Sequence, residues 1–95
     1  MAKTTRRERK YRRNFGITLI DYENMEIAQG FVCAICKERC STYPNLTVDH
    51  DHDTGRVRGL LCRACNVKLE WYVRYCNDTK EYLANPPADS ILEVL

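Results

Sequence analysis

Long apolar runs are missing from this chain of 95 residues. No stretch approaches the roughly 20 residues that a helix needs to cross a bilayer, which excludes a helical membrane protein. The N-terminus, Met1-Ala2-Lys3-Thr4-Thr5-Arg6-Arg7, has no apolar run behind it and does not read as a secretory signal. Internal repeats and low-complexity tracts are absent too, which excludes a repeat array. Histidine is scarce: there are two, His50 and His52, separated by one residue. Without a secretory signal a reducing compartment is expected, and there paired cysteines favour zinc over a disulfide framework.

What is present is uneven. A chain of this size makes one small domain with a modest core, and its six cysteines are the candidate staples. The net charge of +2 hides an asymmetry. Residues 1–13 hold seven basic side chains (Lys3, Arg6, Arg7, Arg9, Lys10, Arg12, Arg13) against Glu8, so the rest of the chain is acidic. A basic arm on an acidic body points to a polyanionic partner, because phosphates release counterions when lysine and arginine bind them. A solvated basic terminus is the plainer alternative.

Residues 4–15 read as a basic helix with Tyr11 and Phe15 on a common face, interrupted at Gly16. Thr18-Leu19-Ile20-Asp21 resembles a capping box, and residues 18–29 read as a short amphipathic helix ended by Gly30. Phe31 to Lys37 is an apolar lead into a thiolate turn, and residues 38–45 a loop. Leu46-Thr47-Val48 has strand propensity, Asp53-Thr54-Gly55 is turn chemistry, and Arg56 to Leu61 returns as a second strand. Ala64 to Tyr75 lacks Gly and Pro and fits a helix. Asp78 to Ala84 forms one more helix, stopped by Pro86-Pro87, and Ile91 to Leu95 is a tail.

Two pairs, Cys33/Cys36 and Cys62/Cys65, supply four thiolates in the number and spacing of a closed tetrahedral zinc site. Such a shell leaves no position for an activated water, so its role is structural. Cys40 and Cys76 are left over. An iron–sulfur run through Cys33, Cys36 and Cys40 competes with the later pair for the same ligands, and both spare residues read as unliganded thiols.

Between the pairs lies Asp49-His50-Asp51-His52-Asp53. The alternating aspartates invite comparison with a calcium loop, but the glycine is one place late at Gly55 and Leu60 stands where a bidentate glutamate is needed. Carboxylate and amide oxygens suit Mg²⁺ or Mn²⁺, and an imidazole can take a proton from water near neutral pH. Neighbouring strand residues face opposite ways, so Asp49 and His50 share a site only where the strand ends, bends or bulges. Asn66, beside a thiolate at a helix start, is either an oxygen ligand or a helix cap.

The segments Cys33-Ala34-Ile35-Cys36, Leu46 to Asp53, Thr54 to Cys62 and Arg63-Ala64-Cys65-Asn66 resemble the recombination endonuclease VII family, HNH (ββα-metal) nucleases common in phages. Asp21-Tyr22-Glu23 and Gln29-Gly30 fit that family's lead-in helix, and the similarity covers roughly residues 15–75. It implies an α+β fold: a small zinc-stabilised ββα-metal (HNH, His-Me finger) domain with flanking helices. The expected organisation is a basic arm at 1–14, the nuclease domain at 15–76 and a helical tail at 77–95. By position, Asp49 and Asn66 would bind catalytic Mg²⁺ or Mn²⁺, His50 would be the general base, and His52 would assist at the phosphate or leaving group. An acidic residue that some members carry one turn after the asparagine is Leu69 here, with Glu70 adjacent. The long C-terminal region of the junction-resolving member has no counterpart, so a smaller nicking or general HNH nuclease is expected.

Charge and proximity alone nominate Arg56 and Arg58 for phosphate contacts, beside Arg6, Arg7, Arg9, Lys10, Arg12 and Arg13 of the arm. The resulting expectation is a metal-dependent DNA endonuclease acting on duplex or branched DNA in the host cytoplasm. Phage packaging or recombination machinery is a candidate partner. A zinc module that binds nucleic acid without cutting it is the alternative, and a zinc-stapled assembly protein ranks third. The Asp49-His50…Asn66 set distinguishes the first, since a pure binder needs no hydrolytic constellation.

Overall fold

The computed structural model describes residues 5–39 and 46–92. Their order is α1 (Arg6–Phe15), α2 (Leu19–Ala28), β1 (Thr47–His50), β2 (Val57–Leu61), α3 (Arg63–Ala84) and α4 (Ala88–Ile91), with the strands forming one antiparallel pair. The result is a small α+β unit: a two-stranded hairpin with helices before and after it. Cys40, Pro44 and Asn45 of the expected loop lie outside the described residues, as does the end of the expected C-terminal tail.

Both leading helices are set by their caps. The Thr5 hydroxyl accepts from the Glu8 N–H at 3.1 Å while the Glu8 carboxylate accepts from the Thr5 N–H at 3.4 Å. Thr18 and Asp21 repeat the exchange at 3.1 and 2.9 Å, so aspartate serves where glutamate is usual. Gly16, with φ of 67°, ends α1 by donating its N–H to the Arg12 carbonyl.

A tyrosine pair ties these helices to the hairpin. Tyr11 of α1 and Tyr22 of α2 stack with ring centroids 4.9 Å apart, and the buried Tyr22 hydroxyl donates to the Leu46 carbonyl at 2.6 Å, just before β1. Arg7 closes the stack, its guanidinium 4.6 Å from the Tyr22 ring centre and its Nε donating to the Tyr11 hydroxyl at 2.8 Å. Burial pushes the Tyr22 phenol well above its ordinary range. Around this pair the core gathers Cys33, Leu46, Val48, Leu60 and Leu61.

Gln29 does the work of a third strand. Its side-chain oxygen accepts from the Leu60 N–H at 2.9 Å, while its nitrogen donates to the Leu60 and Val32 carbonyls at 2.9 and 2.8 Å. These bonds join the end of α2, the first thiolate turn and the outer edge of β2. They satisfy backbone groups that a two-stranded sheet otherwise leaves open.

One sequence expectation needs correction. The region after Cys62 is one helix of 22 residues, α3, not two helices. Cys76, Asn77 and Asp78 are ordinary to weak helix formers rather than breakers, and the chain carries on to Ala84, just before the Pro86-Pro87 stop. Beyond that stop, Ala88–Ile91 makes one further helical turn, α4.

Candidate active site and thiolate centre

The four thiolates converge as their spacing predicts. Sγ atoms of Cys33, Cys36, Cys62 and Cys65 all lie within 4.8 Å of one another, and Cys36 and Cys62 are 3.9 Å apart. A tetrahedron with zinc–sulfur bonds of 2.3 Å has edges of about 3.8 Å, so the cluster has the dimensions of a zinc shell. Local backbone builds it. Lys37, at φ of 63°, turns the chain so that its N–H reaches the Cys33 carbonyl at 3.0 Å. Cys62 caps α3, its sulfur accepting from the Cys65 N–H at 3.4 Å. The Ala34 N–H, bonded to the Leu60 carbonyl at 3.2 Å, fastens the first turn to β2.

The thiols are not equivalent. Burial raises Cys33, but backbone N–H groups of Cys62, Cys36 and Ile35 outweigh it and bring the thiol down to about 6. The Glu38 N–H lowers Cys36, but burial and hydrogen bonding with Cys33 and Cys62 hold it above its ordinary value. Cys65, sharing a proton with Cys62 and partly desolvated, is pushed up to about 12. Neighbouring thiols that resist losing their protons together are what a cluster shows when its full ionisation requires a cation. Cys76 stands apart, near Asn77 on α3, and Cys40 lies outside the described residues.

Beside this centre a cleft of about 720 Å³ opens between the hairpin and α3, lined by Asp49, His50, Asp51, His52, Asp53, Arg58 and Asn66 with Phe15, Leu69, Glu70 and Arg74. The strand irregularity it requires is present. Asp49 pairs with Gly59 but His50 pairs with Val57, and the register shift between them allows successive residues to line one cleft. His50 is held between two rings, Phe15 at 5.2 Å and His52 at 4.8 Å.

Several residues have specific local tasks. Asp51 builds the turn: its Oδ1 accepts from the Asp53 and Thr54 N–H groups at 2.8 and 3.0 Å, which lowers its carboxyl below the ordinary value. Asp49 is 7% exposed, and both its oxygens are taken by Arg58, from Nε at 2.8 Å and Nη2 at 3.0 Å. Asn66 does not cap α3, since Cys62 does; it sits one turn in. Of the arm's cations, Arg6, Arg9, Lys10, Arg12 and Arg13 are exposed and Arg7 is engaged by the tyrosines, while Arg56 is exposed beside the turn.

Hard-metal chemistry fits the cleft in donor type. Asp49 and Asn66 offer one carboxylate and one amide oxygen, which suits an ion that keeps several waters and accepts phosphate oxygens. Among the described residues, the cysteines are the group of three or more His, Cys, Asp or Glu side chains that converge closely enough to share one ion.

The model of the recombination endonuclease VII family matches residues 7–87. The chain belongs to the recombination endonuclease VII family. Two phage relatives agree: the Gene 59 protein of Mycobacterium phage L5, 42% identical over 82 residues, and the Gene 59 protein of Mycobacterium phage D29, 39% identical over 82 residues. Each alignment covers 82% of this chain and 50% of the relative, so this endonuclease VII family member spans about half the length of the curated relatives it matches. No solved structure matches it. No helix of the described residues is long and apolar enough to cross a membrane.

Residue patterns missed three contributors to this family member's site. Phe15 was legible as apolar but not as the wall behind His50. The Arg58–Asp49 fork joins residues nine apart, and the Gln29 bridge to Leu60 spans 31. No local pattern carries either contact.

Proposed function

We propose that the chain is a metal-dependent endonuclease of the HNH type that hydrolyses phosphodiester bonds in DNA. The observation that carries this reading is the single cleft shared by Asp49, His50, His52 and Asn66, set against a four-thiolate centre in a member of this family. His50 takes a proton from the attacking water, whose oxygen bonds to phosphorus. The phosphorus bond to the departing sugar oxygen breaks, and that oxygen takes up a proton. Phe15 and His52 orient the His50 ring, and His52 assists at the phosphate or the departing oxygen. Asp49 and Asn66 would hold Mg²⁺ or Mn²⁺, which supplies charge stabilisation at the phosphate. The exposed cations of α1, with Arg56, hold the DNA backbone.

The thiolate centre has a supporting task. It joins the first turn, the end of β2 and the start of α3, so it fixes Asn66 on α3 relative to Asp49 on β1. Zinc is the metal its four sulfurs fit, and its loss would disperse the cleft rather than remove a reacting group.

Plasmid cleavage by the zinc-loaded protein tests the reading. Nicking or linearisation in Mg²⁺ or Mn²⁺ that disappears with EDTA and in His50→Ala supports it. A folded, zinc-loaded wild type that binds DNA but leaves plasmid and branched substrates intact would favour the non-catalytic binding module.

A further inference from the structure

The most buried carboxylate in the cleft is satisfied by one side chain. The Asp49 side chain is 9% exposed and both its oxygens accept from Arg58, whose own side chain is 39% exposed. Arg58 is the residue that the ladder skips, since Gly59 and Val57 take the partners on either side. A bulged residue can re-aim its side chain without unpairing the strand. The same guanidinium reaches the His50 carbonyl at 3.4 Å, and Arg58 lines the cleft.

A forked guanidinium and a divalent cation are like charges competing for the same small anion, in a site shielded from water on one side. A DNA phosphate, however, offers arginine the same bidentate geometry as a carboxylate. We propose that Arg58 guards Asp49: it is forked on the carboxylate while the cleft holds no DNA and passes to a backbone phosphate when a strand enters. The carboxylate then becomes available to a cation together with the substrate, and the two bind with positive coupling. This inference rests on the nuclease reading above and adds the order in which its site is assembled. It also limits cation uptake when there is nothing to cut.

The test is Mn²⁺ affinity of the zinc-loaded full chain, measured by electron paramagnetic resonance. It is read without DNA and with a short duplex, in a His50→Ala background that prevents cutting. Arg58→Gln is expected to tighten Mn²⁺ binding about tenfold without DNA. The duplex is expected to raise Mn²⁺ affinity by at least a similar factor when Arg58 is present, and by a clearly smaller factor in Arg58→Gln, where only the added phosphate ligand remains to contribute. Arg58→Lys, which keeps the charge but loses the fork, should fall between. It also serves as the informative variant if zinc content shows that Arg58→Gln is misfolded.

Unchanged or weaker Mn²⁺ binding by Arg58→Gln would overturn the guard and make the arginine a positioning residue. Equal tightening by Arg56→Gln, whose side chain makes no bond to Asp49, would overturn it as a general charge effect. Asp49→Asn separates the two levels of the argument. If Mn²⁺ binds it as well as wild type, the cation site of the nuclease reading falls. If binding is lost there but Arg58→Gln matches wild type, only the guard falls.

Discussion

Gln29 and Arg7 show how much of this small unit depends on single polar side chains. The Gln29 amide nitrogen faces two carbonyls, so Gln29→Glu sets a carboxylate against two acceptors and loses two donated bonds. A destabilisation of roughly 2–3 kcal/mol at neutral pH is expected in denaturant unfolding. The new carboxyl would have its pKa raised in the folded state, so stability recovers as pH falls and is lost as pH rises. A pH-independent loss would refute the assignment of donor and acceptor. Arg7 differs from its neighbours in α1 because its charge lies on the tyrosine stack. Arg7→Ala should lower the unfolding midpoint. Arg12→Ala with Arg13→Ala should leave that midpoint nearly unchanged, while reducing the slope of log affinity for duplex DNA against log salt by about two. Of this scale the sequence showed the residue types and the chemistry they carry. It did not show that Arg7 is the cation lying on the tyrosine stack, because that contact forms only when α1 meets Tyr22 of α2.

At the scale of elements, local signals worked where the determinants are local. Thr18 and Asp21 cap α2, Gly16 ends α1, and the Asp51 turn closes the hairpin through bonds spanning two or three residues. Helix α3 is the exception. Its first turns pack on the core through Cys65 and Leu69, whereas Trp71, Tyr72, Val73, Tyr82 and Leu83 are exposed. Its distal half therefore holds together through backbone bonds and side-chain neighbours such as Trp71 and Tyr75, 5.2 Å apart. Asp78→Pro removes one helical bond and clashes with the preceding turn, locally costing about 3 kcal/mol. Circular dichroism should then lose helicity from the distal half while the zinc-loaded unit keeps its unfolding midpoint. A global loss of stability would mean that the distal half is coupled to the core after all.

For the whole molecule the thiolate centre outweighs any single contact. The core is small, and the pieces of chain that form the cleft meet at four sulfurs contributed by two distant turns. Structural zinc in such units supplies about 10–16 kcal/mol of apparent binding energy, more than the whole stability of many small domains. A strong chelator should therefore unfold the protein rather than merely inactivate it, visible as loss of the near-ultraviolet signal. Cys36 and Cys65 are held above their ordinary values, so zinc uptake at neutral pH releases protons, and affinity rises with pH. Zinc uptake in weak buffer with a pH indicator reads this directly. A proton-neutral uptake would contradict it.

The thiolate spacing, the helix caps, the hairpin turn, the basic arm and the Asp/His segment were all legible in the chain, because each is carried by residues close together along it. Tertiary structure alone decided that Asp49 and His50 share a cleft through a register shift, that Arg58 rather than solvent satisfies Asp49, and that Gln29 completes the edge of β2. It also decided that α3 runs unbroken to Ala84. The contacts depend on which polar groups lose water together and must satisfy one another, and the pairing strand and helix ends choose those partners across as many as 31 residues.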